Sequence, residues 1–315
     1  MPIASSPSLV FGAPLARRRL ATMLIAAGLV PGRVRATAPS ATTSSLSIAV
    51  GQERRTAWLH VPASLDPTIR HPLVFGFHGG AGAAHGYIDN ARLFAKAGAA
   101  GFIAVCPEGT PLALPGDHRI WNSGPEYARA SRDADDVRLT RLLIDRVAEL
   151  HAIDTRRVFA TGFSNGGQMA YRLALELAGA IAAIAPMSGG RLAGAPRPAR
   201  PVPVLHFHGT ADGFYPLEGG LGAHSIGRVE HAPIAAVIDE WTAFDGAHRQ
   251  AWTVSHEGWS VQAHDGPAPV ALVLVNGMGH QIAGGGDDLL PDQAMRNAPD
   301  AVGMALKFFT DLSLG

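Results

Sequence analysis

From about residue 44 onward, short unbroken apolar runs alternate with segments whose apolar positions recur every three or four residues. The runs SLSIAV (45–50), TAWLHV (56–61), PLVFGFH (72–78), FIAVC (102–106), RVFATG (157–162), AIAAIAP (180–186), PVLHFHG (203–209), QAWTVS (250–255) and VALVLVN (270–276) predict strands. The 3.6-residue pattern predicts helices at 86–98, 132–151, 165–178, 231–245 and 296–312. The later strand runs are continuous in Val, Ile, Leu or Ala, as expected of strands covered on both faces in a parallel sheet. Strand–helix alternation of this kind predicts an α/β fold: a mostly parallel, doubly wound sheet flanked by helices. The first two runs, joined by GQERR, predict an antiparallel hairpin at the sheet edge. No internal repeat or interdomain linker interrupts the pattern, and GGRLAGAPRPARP (189–201) reads as a strand-to-strand connection. Residues 37–315 are therefore expected to form a single domain. The loop over 107–130 is long enough to predict a functional role.

The first 36 residues stand apart. Arg17–Arg19 precede LATMLIAAGLV, followed by Pro31, Gly32 and the small-residue stretch VRATA, the order of an export signal with a cut near Ala36. The apolar run is too short to span a bilayer comfortably, so the expectation is a secreted or periplasmic protein with no stable membrane insertion after signal removal. The arginines also fit the twin-arginine route, which leaves two export paths open.

Composition narrows the class. The 315 residues include 37 glycines and 23 prolines, are 47% hydrophobic and only 17% charged, and suit a compact loop-rich enzyme. The formal net charge is zero, but residues 1–36 carry five arginines and no acid, leaving a net charge of −5 on the remainder. An acidic body gives no footing for nucleic acid. The single cysteine, Cys106, excludes an intrachain disulfide, and its place at the end of an apolar run predicts a small core residue.

The stretch RVFATGFSNGGQMA (157–170) carries the chemistry. Gly162-Phe163-Ser164-Asn165-Gly166 is G-x-S-x-G between a predicted strand and a predicted helix. That turn lifts a serine above the carboxyl edge of the sheet, and its flanking glycines avoid collision. It also sets the amide of Asn165 at a helix amino terminus, where partial positive charge can hold an oxyanion. Chain order then demands an acid and a histidine after later strands. Asp212 follows PVLHFHG and His280 follows VALVLVN, so Ser164, His280 and Asp212 are the expected nucleophile, base and orienting acid. The loop His78-Gly79-Gly80-Ala81-Gly82 after the third strand is expected to supply the second oxyanion donor, with Gly80 chosen. His206 and His208 are expected on alternate faces of their strand, with structural roles.

FHGG, DADDVRLTRLLID, TGFSNGGQMAYRLA, FHGTAD and GMGH together resemble the exported α/β-hydrolases of the polyhydroxybutyrate depolymerase and feruloyl/acetylxylan esterase family, over about residues 55–310. The resemblance implies an α/β-hydrolase fold and a carboxylic ester hydrolase without cofactor or metal. It implies Ser164, Asp212 and His280 as the triad, with oxyanion binding by the FHGG loop. Trp121-Asn122 matches a family element beside the site. Asp135 and Asp136 match its paired acids, read as capping and loop-anchoring residues. Where relatives often carry Trp-Pro after the histidine, this chain has Gln281-Ile282, which alters any wall that stacks on a sugar or aryl acid. Phe163, Trp121, Phe214 and Tyr215 are the expected pocket walls, with Asn122 among the substrate-binding residues. Expected substrates are short hydroxyalkanoate esters or oligomers, or feruloyl and acetyl esters of plant polysaccharide. With one helix after His280, soluble substrates are expected over crystalline polymer. The alternatives are a hydrolase-fold binding protein without activity, or a small serine peptidase.

Overall fold

The computed structural model describes residues 41–190, 197–225, 228–247, 251–286 and 297–314. Residues 1–36, expected to be an export signal, and part of the connection at 189–201 lie outside the described residues.

Strands β1 (Thr42–Val50) and β2 (Glu53–Val61) form the predicted edge hairpin. They are followed by β3 (His71–Phe77), helices α1 (Ala84–Ala91) and α2 (Leu93–Ala99), and β4 (Ile103–Pro107). The long loop contains the short pair β5 (Thr110–Pro111) and β6 (Arg119–Ile120), then α3 (Pro125–Ala128). Next come α4 (Asp136–Leu150), β7 (Ile153–Phe163), α5 (Asn165–Glu176), β8 (Ala183–Met187) and β9 (Val204–Gly209). The chain closes with α6 (Ile234–Asp245), β10 (Trp252–His256), β11 (Trp259–His264), β12 (Val270–Val275) and α7 (Ala301–Thr310). Among the described residues, no helix is long and apolar enough to cross a membrane.

Ten strands form one sheet in the order β1-β2-β4-β3-β7-β8-β9-β12-β11-β10. The inner six, from β4 to β12, run parallel, and antiparallel strands close both ends. The fold is the expected mostly parallel α/β sheet.

Local chemistry explains the shifted boundaries. The single helix predicted over 86–98 is two, because Arg92 adopts a left-handed conformation (φ 50°) and turns the chain between them. The helix predicted from residue 132 starts at Asp136: Arg132 and Asp133 have positive φ, and the Asp135 carboxylate accepts from the Arg138 amide as an N-cap. Strand β11 was not anticipated. Its alternating buried Trp259, Val261 and Ala263 carry the period of two, but Ser260, Gln262 and the flanking histidines dilute the apolar signal.

The sheet divides the core in two. Val74, Cys106, Phe159 and Phe207 pack with α1, α2 and α7 on one face. Leu73, Phe75, Val105 and Val158 pack with α4, α5 and α6 on the other. Cys106 is fully buried, as its apolar context predicted. One charged pair crosses into this interior. Arg55 on β2 meets Asp136 at 2.8 Å, the two side chains being 5% and 0% exposed, and also donates to the Glu108 carbonyl. Burial pushes the Asp136 carboxyl above its ordinary value, although the Arg55 charge and the Asn122 amide draw it down. Removing the cation alone would strand a desolvated carboxylate. Arg55→Met is therefore expected to cost about 3–5 kcal/mol, read as a lowered midpoint in urea unfolding; an unchanged midpoint would contradict this assignment.

Candidate active site

The parallel strands deliver Ser164, Asp212 and His280 to one edge, where each strand gives way to a turn. At the end of β7, Ser164 adopts φ 56° and ψ −120°, a strained conformation for a residue with a side chain. Its amide donates to the Met187 carbonyl at 2.8 Å, so the end of β8 holds the turn. The glycines are required by contact rather than by flexibility. A Cβ at Gly162 would strike the Gly166 carbonyl, and one at Gly166 would strike the carbonyls of Phe77 and His78.

Beyond β9, Asp212 lies buried with its Oδ1 accepting from the amides of Phe214 (2.9 Å) and Tyr215 (2.8 Å). Beyond β12, His280 hydrogen-bonds through Nδ1 to Asp212 Oδ2 at 2.8 Å and through Nε2 to Ser164 Oγ at 2.8 Å. The carboxylate accepts from Nδ1–H, which leaves Nε2 free to accept the serine proton. Burial pushes the Asp212 carboxyl up, but the His280 hydrogen bond and charge, the Tyr215 amide and His208 outweigh it and hold the group below its ordinary value. It is therefore ionised at neutral pH. Two turns meet closely here, and Gly209 makes room: a Cβ there would collide with the Met278 carbonyl.

The loop after β3 lies against Ser164. A Cβ on Gly79 would sit 3.5 Å from that of Ser164, and one on Gly80 would sit 3.5 Å from that of Asn165. Its position is set by His78, which is buried. Gly109 N–H donates to Nε2 (3.0 Å), so the proton is on Nδ1, which donates to the Gly79 carbonyl (2.8 Å). Burial lowers this imidazole to about 4, keeping it neutral and fit for both roles. The Asn165 amide is at the first turn of α5, where helix N–H groups lack intrahelical acceptors. The Asn165 side chain turns away to bind the Trp121 amide (2.8 Å) and Ser123 Oγ (2.8 Å).

The aromatic residues expected as pocket walls separate into two groups. Phe163 and Phe214 flank the His280 ring, with centroids 4.7 and 4.9 Å away, and Phe214 is exposed. Trp121 and Tyr215 are corrected. Trp121 is fully buried, donates from Nε1 to the His78 carbonyl at 2.9 Å and packs edge-on to Phe77, so it supports the loop after β3 from beneath. Tyr215 is buried and stacks on His231 at 3.8 Å. Asn122 is buried too: its amide donates to Asp136 Oδ2, its side chain donates to the Ala134 carbonyl, and its carbonyl accepts from Arg172. Asp135 caps a helix and Asp136 anchors this loop. The expectation for His206 and His208 is also corrected. Residues two apart on a strand point the same way, and both rings lie buried on the α5 side, 3.2 Å apart between nitrogens.

Sequence reading missed Arg55, although a charge in the otherwise alternating strand ERRTAWLHV was a signal for a buried ion pair. It also missed the role of His78, which depends on a contact 31 residues away.

Comparison with known proteins is consistent with this architecture. Residues 56–206 match the family described as Esterase PHB depolymerase. Feruloyl esterase B of Piromyces equi is 32% identical over 179 residues, covering 51% of this chain and 31% of that protein. The putative esterase NocK of Nocardia uniformis subsp. tsuyamanensis is 33% identical over 213 residues, covering 65% of this chain and 60% of that one. The chain thus spans less than two thirds of the length of these relatives. The structure of an acetyl xylan esterase from Aspergillus awamori superposes with a TM-score of 0.56 at 15% identity, covering 76% of this chain and 94% of that one, which supports the fold. The sheet order and the structural likeness together define the class of fold, that of the α/β-hydrolases. The stretch similar to the esterase PHB depolymerase family is residues 56–206, just under half of the chain.

Since the elbow admits no Cβ at its flanks, Gly166→Ala is expected to destabilise the protein by about 1–3 kcal/mol through overpacking. Thermal unfolding checks this, and an unchanged midpoint would mean the backbone contacts are not as close as described.

Proposed function

We propose that the protein is an exported serine carboxylesterase acting through Ser164, His280 and Asp212. The observation that carries this reading is the unbroken hydrogen-bond chain from Ser164 Oγ through the imidazole to a buried carboxylate, at 2.8 Å for each link. In the acylation step, Ser164 Oγ attacks the ester carbonyl carbon as His280 Nε2 takes its proton. The carbonyl oxygen becomes an oxyanion held by the amides of Asn165 and Gly80. Collapse breaks the bond to the alcohol oxygen, which leaves with the proton from His280. Water then repeats the sequence on the acyl-enzyme, with His280 as base, and releases the acid and free serine. Asp212 fixes the imidazole tautomer and stabilises the transient imidazolium. No cofactor or metal enters these steps.

Phe163 and Phe214 flank the base and suit an acyl or alcohol group of modest size. The substrate class is short hydroxyalkanoate esters or oligomers, or feruloyl and acetyl esters of plant polysaccharide; the relatives named feruloyl esterase and acetylxylan esterase support the latter pair. Residues 1–36 are assigned as the export signal and residues 37–315 as the catalytic domain, placing the mature protein in the periplasm or outside the cell.

A panel of p-nitrophenyl esters from acetyl to octanoyl, with methyl ferulate and a hydroxybutyrate trimer, tests the activity. Turnover of at least one is expected, and Ser164→Ala is expected to reduce kcat by on the order of 10⁶-fold with unchanged circular dichroism. Equal activity in that variant would remove the nucleophile.

A further inference from the structure

Behind the acid of the triad lies a row of buried polar groups that the reaction steps do not use. Tyr171 Oη lies 2.9 Å from His206 Nδ1, and His206 Nε2 lies 3.2 Å from His208 Nδ1. His208 Nε2 in turn lies 2.8 Å from the Tyr215 carbonyl oxygen and 3.8 Å from Asp212 Oδ2. Both histidines are fully buried on the face of the sheet covered by α5 and α6. An ordinary apolar core position would serve packing equally well, and buried polar groups are costly unless fully paired.

The proton positions follow from one end of the row. A carbonyl oxygen can only accept, so His208 Nε2 carries hydrogen. Burial holds both rings below their ordinary basicity, and so neutral. A neutral His208 then presents a bare Nδ1, which requires His206 to donate from Nε2. His206 Nδ1 is bare in its turn and accepts from the Tyr171 hydroxyl. Every link is directed from α5 toward the turn that holds Asp212.

That turn is the support of the acid. The amides of Phe214 and Tyr215 donate to Asp212 Oδ1, and His208 Nε2–H donates to the carbonyl of the same Tyr215, its nitrogen lying 3.8 Å from Oδ2. The row therefore begins on the helix that starts immediately after Ser164 and ends on the turn that aims Asp212 at His280. We propose that His208, oriented by His206 and Tyr171, is a positioning residue that holds the Asp212 turn in register with the imidazole, so that its effect on the rate passes through Asp212. This rests on the triad reading given above.

The test is a double-mutant cycle on kcat with whichever ester the panel identifies. His208→Phe keeps a ring but no donor; it is expected to lower kcat roughly 10- to 100-fold with KM nearly unchanged. Asp212→Asn alone is expected to lower kcat by about 10⁴-fold. In the Asp212→Asn background the His208→Phe loss should vanish, because the residue it positions is already disabled. His208→Gln, whose amide can donate to the Tyr215 carbonyl, should recover most of the rate. A His208→Phe loss of equal size in both backgrounds, or a Gln variant no better than Phe, would overturn the proposal and leave the triad standing. An Asp212→Asn variant with full activity would instead sink the triad. Histidine ¹⁵N NMR on the unaltered protein gives a readout that survives if His208→Phe does not fold. Both rings should appear as neutral Nε2–H tautomers, and an Nδ1–H or doubly protonated form of either would overturn the proposal.

Discussion

The site depends on how closely backbone segments approach one another at the carboxyl edge of the sheet. The end of β3 runs so near the start of α5 that Gly166 has no space for a side chain, and Gly162 faces the same turn from the other side. Ser164 is held at φ 56° between them, with its amide committed to Met187. Such a conformation persists only when the surrounding structure over-determines it. Here the parallel strands on either side supply that constraint, which is why Ser164 sits on the rigid part of the fold rather than on a loop. Gly209 does the corresponding work for the other two residues, letting the turn after β9 pass under the turn after β12.

Around this crossing, buried polar groups do what apolar packing cannot: they fix direction. Asp136 binds Arg55 on one side and the Asn122 amide on the other, tying strand β2 to the long loop. His78 fixes the Gly79 carbonyl, Trp121 fixes that of His78, and Asn165 fixes the Trp121 amide. The loop after β3, the long loop and the first turn of α5 are therefore one hydrogen-bonded unit. Dispersion contacts would tolerate small slides between these segments, whereas each hydrogen bond loses strength over a few tenths of an ångström. Catalysis that relies on preorganised donors needs that rigidity.

The elements that were legible in the sequence are those whose signal is local. Continuous apolar runs announced β4 and β12, since a strand covered on both faces has few polar positions to hide the pattern. The turn around Ser164 was legible because steric exclusion leaves its mark as glycine. Strand β11 was hidden by its polar alternate positions, and the helix break at Arg92 by a residue that takes a left-handed conformation without glycine. Trp121 and Tyr215 show a different limit: an aromatic residue near a reactive motif has the same local appearance whether it lines a pocket or fills the core beneath it. Both are buried here.

By itself, then, the sequence determined the layered α/β architecture and the order in which serine, acid and histidine arrive at the strand ends. Those follow from periodicity and from which residues a turn can tolerate, properties of a few consecutive positions. The tertiary structure decided which polar groups are partners: Arg55 with Asp136, His78 with Gly109, and Tyr171 with His206. Each of these bonds joins segments tens of residues apart, and its geometry, burial and proton direction exist only once the sheet has brought those segments within hydrogen-bonding distance.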